Sequence, residues 1–211
     1  MAIETVILIF AKAPIPGAVK TRMIPAIGAE GAAMLHTALA ERVITTACAT
    51  GFDVVLCGAP DVTHCFFNDC ADDFDVDLAE QINSDNLGQR MLHSLNEALE
   101  EWPQVLLIGA DCAAFTKKHL LEAAAHLANH DVVLTPADDG GYVLIGANKT
   151  RPAMFNNIDW GTNTVMAQQR AALTASAMNW HEMPTLWDVD RPEDLARLKT
   201  LKPPFEFYWP T

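Results

Sequence analysis

The sequence predicts an α/β fold in which a predominantly parallel sheet is covered by helices on both faces. Three observations lead there. Residues 3–11 and 105–110 are short apolar, β-branched runs of the kind buried on both faces of a sheet. Strand-length runs alternate along the chain with stretches whose apolar residues recur at helical spacing. Two further strand-length runs, 131–135 and 142–146, follow each other so closely that the chain must reverse between them, which makes the sheet mixed.

Taken in order, residues 3–11 form a central strand. Pro14, Pro16 and Gly17 then exclude regular structure, and from about Ala29 the spacing of Ala32, Leu35, Leu39, Val43 and Ile44 is that of a long amphipathic helix. Residues 53–58 are a second strand and 75–81 a weaker one. Met91, Leu92, Leu95 and Leu99 line one face of a helix over 87–101, and 105–110 is the second strongly buried strand, expected beside the first. Thr116 is an N-cap candidate for a helix ending near Asn129. Beyond the reversal, 151–162 is irregular and 163–175 helical. Residues 191–201 open with Pro192 at a helix start and Glu193 and Asp194 in its first turn. The tail from 203, with Phe205, Phe207, Tyr208 and Trp209 among prolines, reads as a strap over the domain or part of a subunit contact, so a homo-oligomer is allowed. With 211 residues, half of them hydrophobic, and no repeat or linker, the chain is expected to be a single domain over 1–211.

A formal charge of −13 opposes binding to nucleic acid or to an anionic membrane, so the expected partners are small molecules. No apolar run approaches the roughly 20 residues that cross a bilayer, and residues 1–10 lack the charged start and cleavage site of a signal peptide. Five cysteines form no Cys-x-x-Cys pair, which argues against a disulfide framework or structural zinc. These features predict a cytoplasmic protein with Cys57, Cys65 and Cys70 as buried or incidental thiols. The histidines show no His-Glu-x-x-His motif and no Ser, His, Asp signature, which removes the usual supports for zinc and serine hydrolases.

In an acidic chain with only 14 Lys and Arg, the loop after the first strand gathers three of them. It runs from Ala11 through Lys12 and Gly17 to Lys20, Thr21 and Arg22, and can bring backbone amides to a phosphate. There Lys20 supplies a point charge and Arg22 a bidentate fork. Asp111 ends the 105–110 strand, where a carboxylate can hold a hard divalent cation such as Mg²⁺ or Mn²⁺; the alternative is a turn or cap residue. Asp188 and Asp190, alternate residues of an extended segment, offer a second and third metal carboxylate, although Asp190 is equally placed to cap the last helix. In Asp138-Asp139-Gly140-Gly141-Tyr142 the glycines permit close backbone approach and the carboxylates can accept hydrogen bonds from sugar hydroxyls; a plain hairpin turn is the alternative. Trp160 and Thr162 add an aromatic wall to such a pocket, or a packed loop.

These segments also carry a resemblance. Ala11-Lys12-Ala13-Pro14, Val19-Lys20-Thr21-Arg22, Gly109-Ala110-Asp111-Cys112, Asp139-Gly140-Gly141-Tyr142, Trp160-Gly161-Thr162, and Asp188-Val189-Asp190 with Pro192-Glu193-Asp194-Leu195 resemble, in order and spacing over nearly the whole chain, a bacterial family of GT-A-fold glycosyltransferase-like proteins. Some of its members are linked by name to arsenosugar biosynthesis. The resemblance implies the three-layer, Rossmann-like GT-A fold of nucleotide-diphospho-sugar transferases. It extends more distantly to phospholactate guanylyltransferases and molybdenum-cofactor cytidylyltransferases. It places Lys20 and Arg22 on nucleotide phosphates and matches Asp111, with Asp190, to metal carboxylates. The chain departs from the family at Ala113 and Ala114, where a Pro usually follows the Asp-Cys pair.

The expected function is glycosyl transfer from a nucleotide-diphospho-sugar to a small-molecule acceptor. Asp111 with its metal and Lys20 serve the leaving diphosphate, and Asp139 the acceptor hydroxyl. Transfer of a nucleotidyl group to a small phosphorylated acid or sugar, and nucleotide binding without turnover, are the alternatives. Lys20 and Arg22 are both expected to be exposed loop cations, important for affinity and unimportant for stability.

Overall fold

A computed structural model describes residues 4–205 and 207. Its centre is a seven-stranded sheet in the order β3-β2-β1-β4-β6-β5-β7. The strands are β1 Thr5–Lys12, β2 Asp53–Ala59, β3 Asp77–Glu80, β4 Gln104–Gly109, β5 Val132–Pro136, β6 Tyr142–Ala147 and β7 Trp180–Glu182. β1 lies between β2 and β4 and pairs parallel with both, as its uninterrupted apolar character requires. β6 is inserted between β4 and β5 and runs antiparallel to both, so the sheet is mixed through this one strand.

Successive residues of a strand face opposite sides, and each side has its own core. Ile7, Ile9, Leu106 and Ile108 pack with residues of helices α1 (Ile24–Cys48), α2 (Cys65–Phe74) and α4 (Lys117–His126). Val6, Leu8, Val105 and Leu107 pack on the other face with α3 (Leu87–Glu101) and α5 (Val165–Ala175). The result is the expected three-layer α/β/α architecture. A short α6, Leu195–Leu198, follows a 3₁₀ turn at Pro192–Asp194, and Met23, Leu35, Leu39, Ala113, Val189 and Leu198 make a third apolar cluster that holds this end of the chain against α1.

Caps follow local chemistry. Thr116 accepts the His119 N–H at the start of α4, as predicted, and Asn86 accepts the Gln89 N–H at the start of α3. Gly28 interrupts the first turns of α1 with φ 72° and ψ 168°, so the regular helix begins where the apolar stripe does. Two elements lie outside the sequence-based expectation. Helix α2 fills residues given no element, and β7 adds a parallel edge strand beside β5. The last helix is capped from Arg191, with the Asp194 carboxylate accepting the N–H groups of Asp190 and Arg191, so capping does not account for the Asp190 side chain.

This topology fixes where the motifs go. β1, β2, β3, β4, β5 and β7 point the same way, and antiparallel β6 starts where they end. The loops after β1 and β4, the β5–β6 turn and the segment after β7 therefore share one rim of the sheet, where open α/β sheets bind ligands. Of the aromatic tail, Tyr208 and Trp209 lie outside the described residues, while Phe205 and Phe207 pack against the third apolar cluster.

Candidate active site

The loop leaving β1 turns at Gly17, whose φ of 85° suits a residue without Cβ, and reaches Lys20 in the left-handed conformation (φ 46°, ψ 41°). Such backbone strain in a lysine costs about 1–3 kcal/mol and persists where surrounding contacts enforce it. Here the contact is an ion pair: Lys20 Nζ donates to Asp111 Oδ2 at 3.0 Å. The Lys20 side chain is only 5% exposed and that of Asp111 37%, which corrects the expectation that Lys20 is an exposed loop cation. Burial pushes the Asp111 carboxyl up, but the charge and hydrogen bond of Lys20, with smaller help from His36 and the Asp111 backbone, together hold the group below the ordinary carboxylate value. Gly109 admits this arrangement, since a Cβ there would meet Asp111 Oδ1 at 2.9 Å.

Arg22 meets the expectation of exposure. Its guanidinium donates to the Asp190 carboxylate, so the two predicted phosphate cations are each held by one of the predicted metal carboxylates. The Val189 N–H donates to the Asp111 carbonyl at 3.2 Å, which ties the Asp188–Asp190 segment to the turn after β4. That turn is closed by the Ala113 N–H on Asp111 O, with Arg42 Nε donating to Ala113 O at 3.0 Å; the two alanines thus occupy a formed turn without the proline usual there. Asp188 is a distinct case. Burial first, then the charges of Asp111 and Asp139, push its carboxyl up to about 7. Three of the predicted acidic residues therefore sense one another on the rim.

A cleft of about 460 Å³ is walled by Ala11, Lys12, Lys20, Thr21, Arg22 and Asp111, with Asp190 at its side. It continues in two directions. One lobe of about 390 Å³ runs between Lys12–Val19 and residues 81–85, with Ile15, Pro60 and Ile82 as apolar walls. The other, of about 240 Å³, is lined by Tyr142, Trp160, Met91 and Val165, with Asp139 and Thr162 polar among them. Phe10, Leu87 and Gly109 are common to this lobe and the central cleft. Asp139 is exposed and uses Oδ1 to accept the Gly141 N–H at 2.8 Å. Gly140 serves packing: its φ is 91°, and a Cβ there would lie 2.2 Å from the Asn163 carbonyl oxygen, so the close backbone approach it permits is to the 159–164 loop.

Three residues at this rim escaped the sequence reading. His36 on α1 lines the central cleft and bonds through Nε2 to the Lys12 carbonyl at 2.9 Å; burial holds its pKa below the ordinary histidine value. Gln81 is buried and bonds the Cys57 and Ala11 carbonyls, while its Oε1 accepts from Arg90 at 2.8 Å. Arg90 itself lines both the central cleft and the 390 Å³ lobe. A polar residue next to the apolar stripe of a helix, at Arg90 between Gln89 and Met91, is the weak signal that was available.

The oxygen chemistry of Asp111, Asp188 and Asp139 suits a hard divalent cation, which would relieve the repulsion that, after burial, raises the Asp188 carboxyl. Among the described residues, however, no group of three or more His, Cys, Asp or Glu side chains is arranged to hold a metal by itself. The residues fit an ion that takes part of its oxygen shell from a bound phosphate. The Cys57, Cys65, Cys70 group is no such site: Cys57 and Cys70 are buried and Cys65 is exposed.

The sequence pattern of a bacterial family matches residues 42–162, more than half of the chain, including Arg90, Asp111, Asp139 and Trp160. The chain belongs to the DUF2064 family. Its description is that of uncharacterized proteins conserved in bacteria. No curated protein matches this DUF2064 member. Among solved structures it is similar to a protein from Desulfovibrio desulfuricans described as a nucleotide-diphospho-sugar transferase, at 27% identity and a TM-score of 0.82, over 92% of this chain and 87% of that one. A nucleotidyl transferase from Methanothermobacter superposes at 10% identity and a TM-score of 0.62, covering 95% and 97% of the two chains. A 4-diphosphocytidyl-2C-methyl-D-erythritol synthase from Anaerococcus prevotii does so at 12% identity and 0.62, covering 92% and 95%. The last two establish the fold alone, which this DUF2064 protein shares with nucleotide-dependent transferases. No helix among its described residues is long and apolar enough to cross a membrane.

Proposed function

We propose that this protein transfers a glycosyl group from a nucleotide-diphospho-sugar to a hydroxyl of a small-molecule acceptor. The observation that carries the reading is the division of one rim cleft into three lobes. These are a lobe with apolar walls for the nucleoside, a cation-lined centre at Lys20 and Arg22 for the diphosphate, and an aromatic-walled lobe with a free carboxylate oxygen on Asp139. An indole face and an aromatic ring suit the apolar face of a sugar.

In this reading the acceptor oxygen attacks the anomeric carbon as its proton passes to Asp139, and the bond from that carbon to the diphosphate breaks. The charge released onto the nucleoside diphosphate is met by Lys20 and Arg22. Mg²⁺ or Mn²⁺, when bound at Asp111 and Asp188, would neutralise further phosphate charge. Asp111 also holds Lys20 in place when the cleft is empty, so the cation is positioned before substrate arrives.

A second reading, nucleotidyl transfer, is favoured by the number of cations. Lys12, Lys20, Arg22 and Arg90 all line the two nucleotide lobes, more than a diphosphate alone requires. A thermal-shift panel of nucleoside triphosphates, diphosphates and diphospho-sugars with Mn²⁺ tests both, since a ligand of the native state raises Tm by its mass-action contribution. Glycosyl transfer expects a diphospho-sugar to exceed its own nucleoside diphosphate. A triphosphate exceeding both would favour nucleotidyl transfer, and no shift from any nucleotide would overturn the proposal.

A further inference from the structure

The cations of the cleft are not in equivalent states. Lys20 and Arg22 each have a carboxylate partner, Asp111 and Asp190. Lys12 is exposed, where water solvates its charge. Arg90 is half-buried and has no carboxylate in contact. Its Nε is buried with no hydrogen-bond partner among the described residues, and no carboxylate among them lies within ion-pair distance of its guanidinium. One Nη donates to a neutral acceptor, Gln81 Oε1 at 2.8 Å, and Gln81 is fixed in turn by the Cys57 and Ala11 carbonyls.

A guanidinium stays protonated, so the half-buried group keeps its charge while its Nε donor goes without an acceptor. A buried donor without an acceptor costs about 1–3 kcal/mol, more when it is charged. The fold aims this group through Gln81 and brings no anion into contact with it; the exposed Asp85 carboxylate on the same lobe attracts it only from beyond ion-pair distance. Its position is informative as well: Arg90 lies on the wall shared by the 390 Å³ lobe and the central cleft. A group bound there sits between whatever fills the nucleoside lobe and whatever meets Lys20 and Arg22.

We propose that Arg90 is the binding residue for the phosphate attached directly to the nucleoside, leaving Lys20 and Arg22 to the phosphate beyond it. The assignment rests on the nucleotide reading of the cleft and is tested apart from it. The four common nucleoside monophosphates are titrated into the wild type by calorimetry or NMR. The tightest is then compared with its own nucleoside and with inorganic pyrophosphate, in the wild type, Arg90→Leu and Arg90→Lys.

The wild type is expected to bind the monophosphate at least tenfold more tightly than the nucleoside. Arg90→Leu should erase that difference and leave nucleoside and pyrophosphate affinities within about twofold. Arg90→Lys should keep part of the preference, having the charge without the fork, and it carries the test if Arg90→Leu fails to fold. Unchanged monophosphate affinity in the variants, or a wild type with no preference for the monophosphate over the nucleoside, overturns the role of Arg90. A wild type that binds no nucleotide overturns the reading beneath it.

Discussion

Lys20→Met tests how much of the cleft's order depends on one ion pair. The substitution leaves an apolar stem of similar length and removes the ammonium 3.0 Å from Asp111 Oδ2. Truncating one partner of a fully buried pair costs about 3–5 kcal/mol, and an exposed pair is worth about 0–1 kcal/mol. Lys20 stands near the first limit and Asp111, 37% exposed, nearer the second, so solvent screening brings the expected loss to about 1–2 kcal/mol at pH 7. Urea unfolding of the wild type, Lys20→Met, Asp111→Asn and the double variant measures the pair as a coupling energy.

The pH dependence gives an independent sign. In the wild type the folded Asp111 pKa is depressed, so the pair's contribution is complete above the unfolded carboxyl value of about 3.9 and is lost only as pH falls through the lower folded value. Without Lys20, burial, the largest influence on this carboxyl, is opposed only by the smaller ones of His36 and the Asp111 backbone, and the folded pKa is expected to rise above the unfolded one. The variant then gains stability on acidification where the wild type does not. The gap between them should narrow from pH 7 to pH 4. A coupling below about 0.3 kcal/mol, or a gap that is flat over that range, would refute the reasoning.

Arg22→Ala, at a side chain 60% exposed, should change stability by less than about 1 kcal/mol while weakening diphosphate binding at least fivefold by calorimetry; unaltered affinity would move the distal phosphate elsewhere. Asp188 carries the opposite sign to Asp111, because its folded pKa of about 7 lies above the unfolded value. Wild-type Tm should therefore lose a contribution as pH rises from about 4 through 7, and Asp188→Asn should lack that loss; parallel curves would count against it. Gly140→Ala should cost at least 1–3 kcal/mol, roughly the strain of a positive φ alone, and the contact with the Asn163 carbonyl should displace the 159–164 loop, visible as altered Trp160 fluorescence.

The sheet's centre was legible because β1 and β4 are covered on both faces, and only continuous apolar residues satisfy that condition. The helix over 87–101 was found to the residue from its apolar stripe, and in the structure the Asn86 cap fixes its start at the same place. The elements that escaped lacked such agreement. Helix α2 buries only Phe66, Phe67 and Cys70, and Asn68, Asp69, Asp72 and Asp73 depress its propensity; the spacing of those three apolar residues was its one usable sign. β7 is three half-buried residues whose conformation comes from pairing with β5, a partner about 50 positions away that no local pattern reveals.

At the site, residue identity was more legible than pairing. That Lys20, Arg22, Asp111, Asp188 and Asp139 share a rim follows from strand-end positions. That Lys20 joins Asp111 across 91 positions, and Arg22 joins Asp190 across 168, depends on loop paths. Arg90 was hidden for the same reason, because its character comes from the buried Gln81 it meets.

The hydrogen bond from Val189 to Asp111 has a consequence for how the molecule can be taken apart. The segment that follows β7 brings Asp188 and Asp190 to the rim and crosses exposed Pro184 and Thr185 on the way. All seven strands precede that crossing. A protease that nicks it should leave a particle whose far-ultraviolet dichroism is little changed, while one bank of the cleft hangs on a clipped arm. Bound nucleotide would hold that arm down. The rate of cutting at 184–185 thus becomes a clock for occupancy, usable on the untouched protein before any substrate is known.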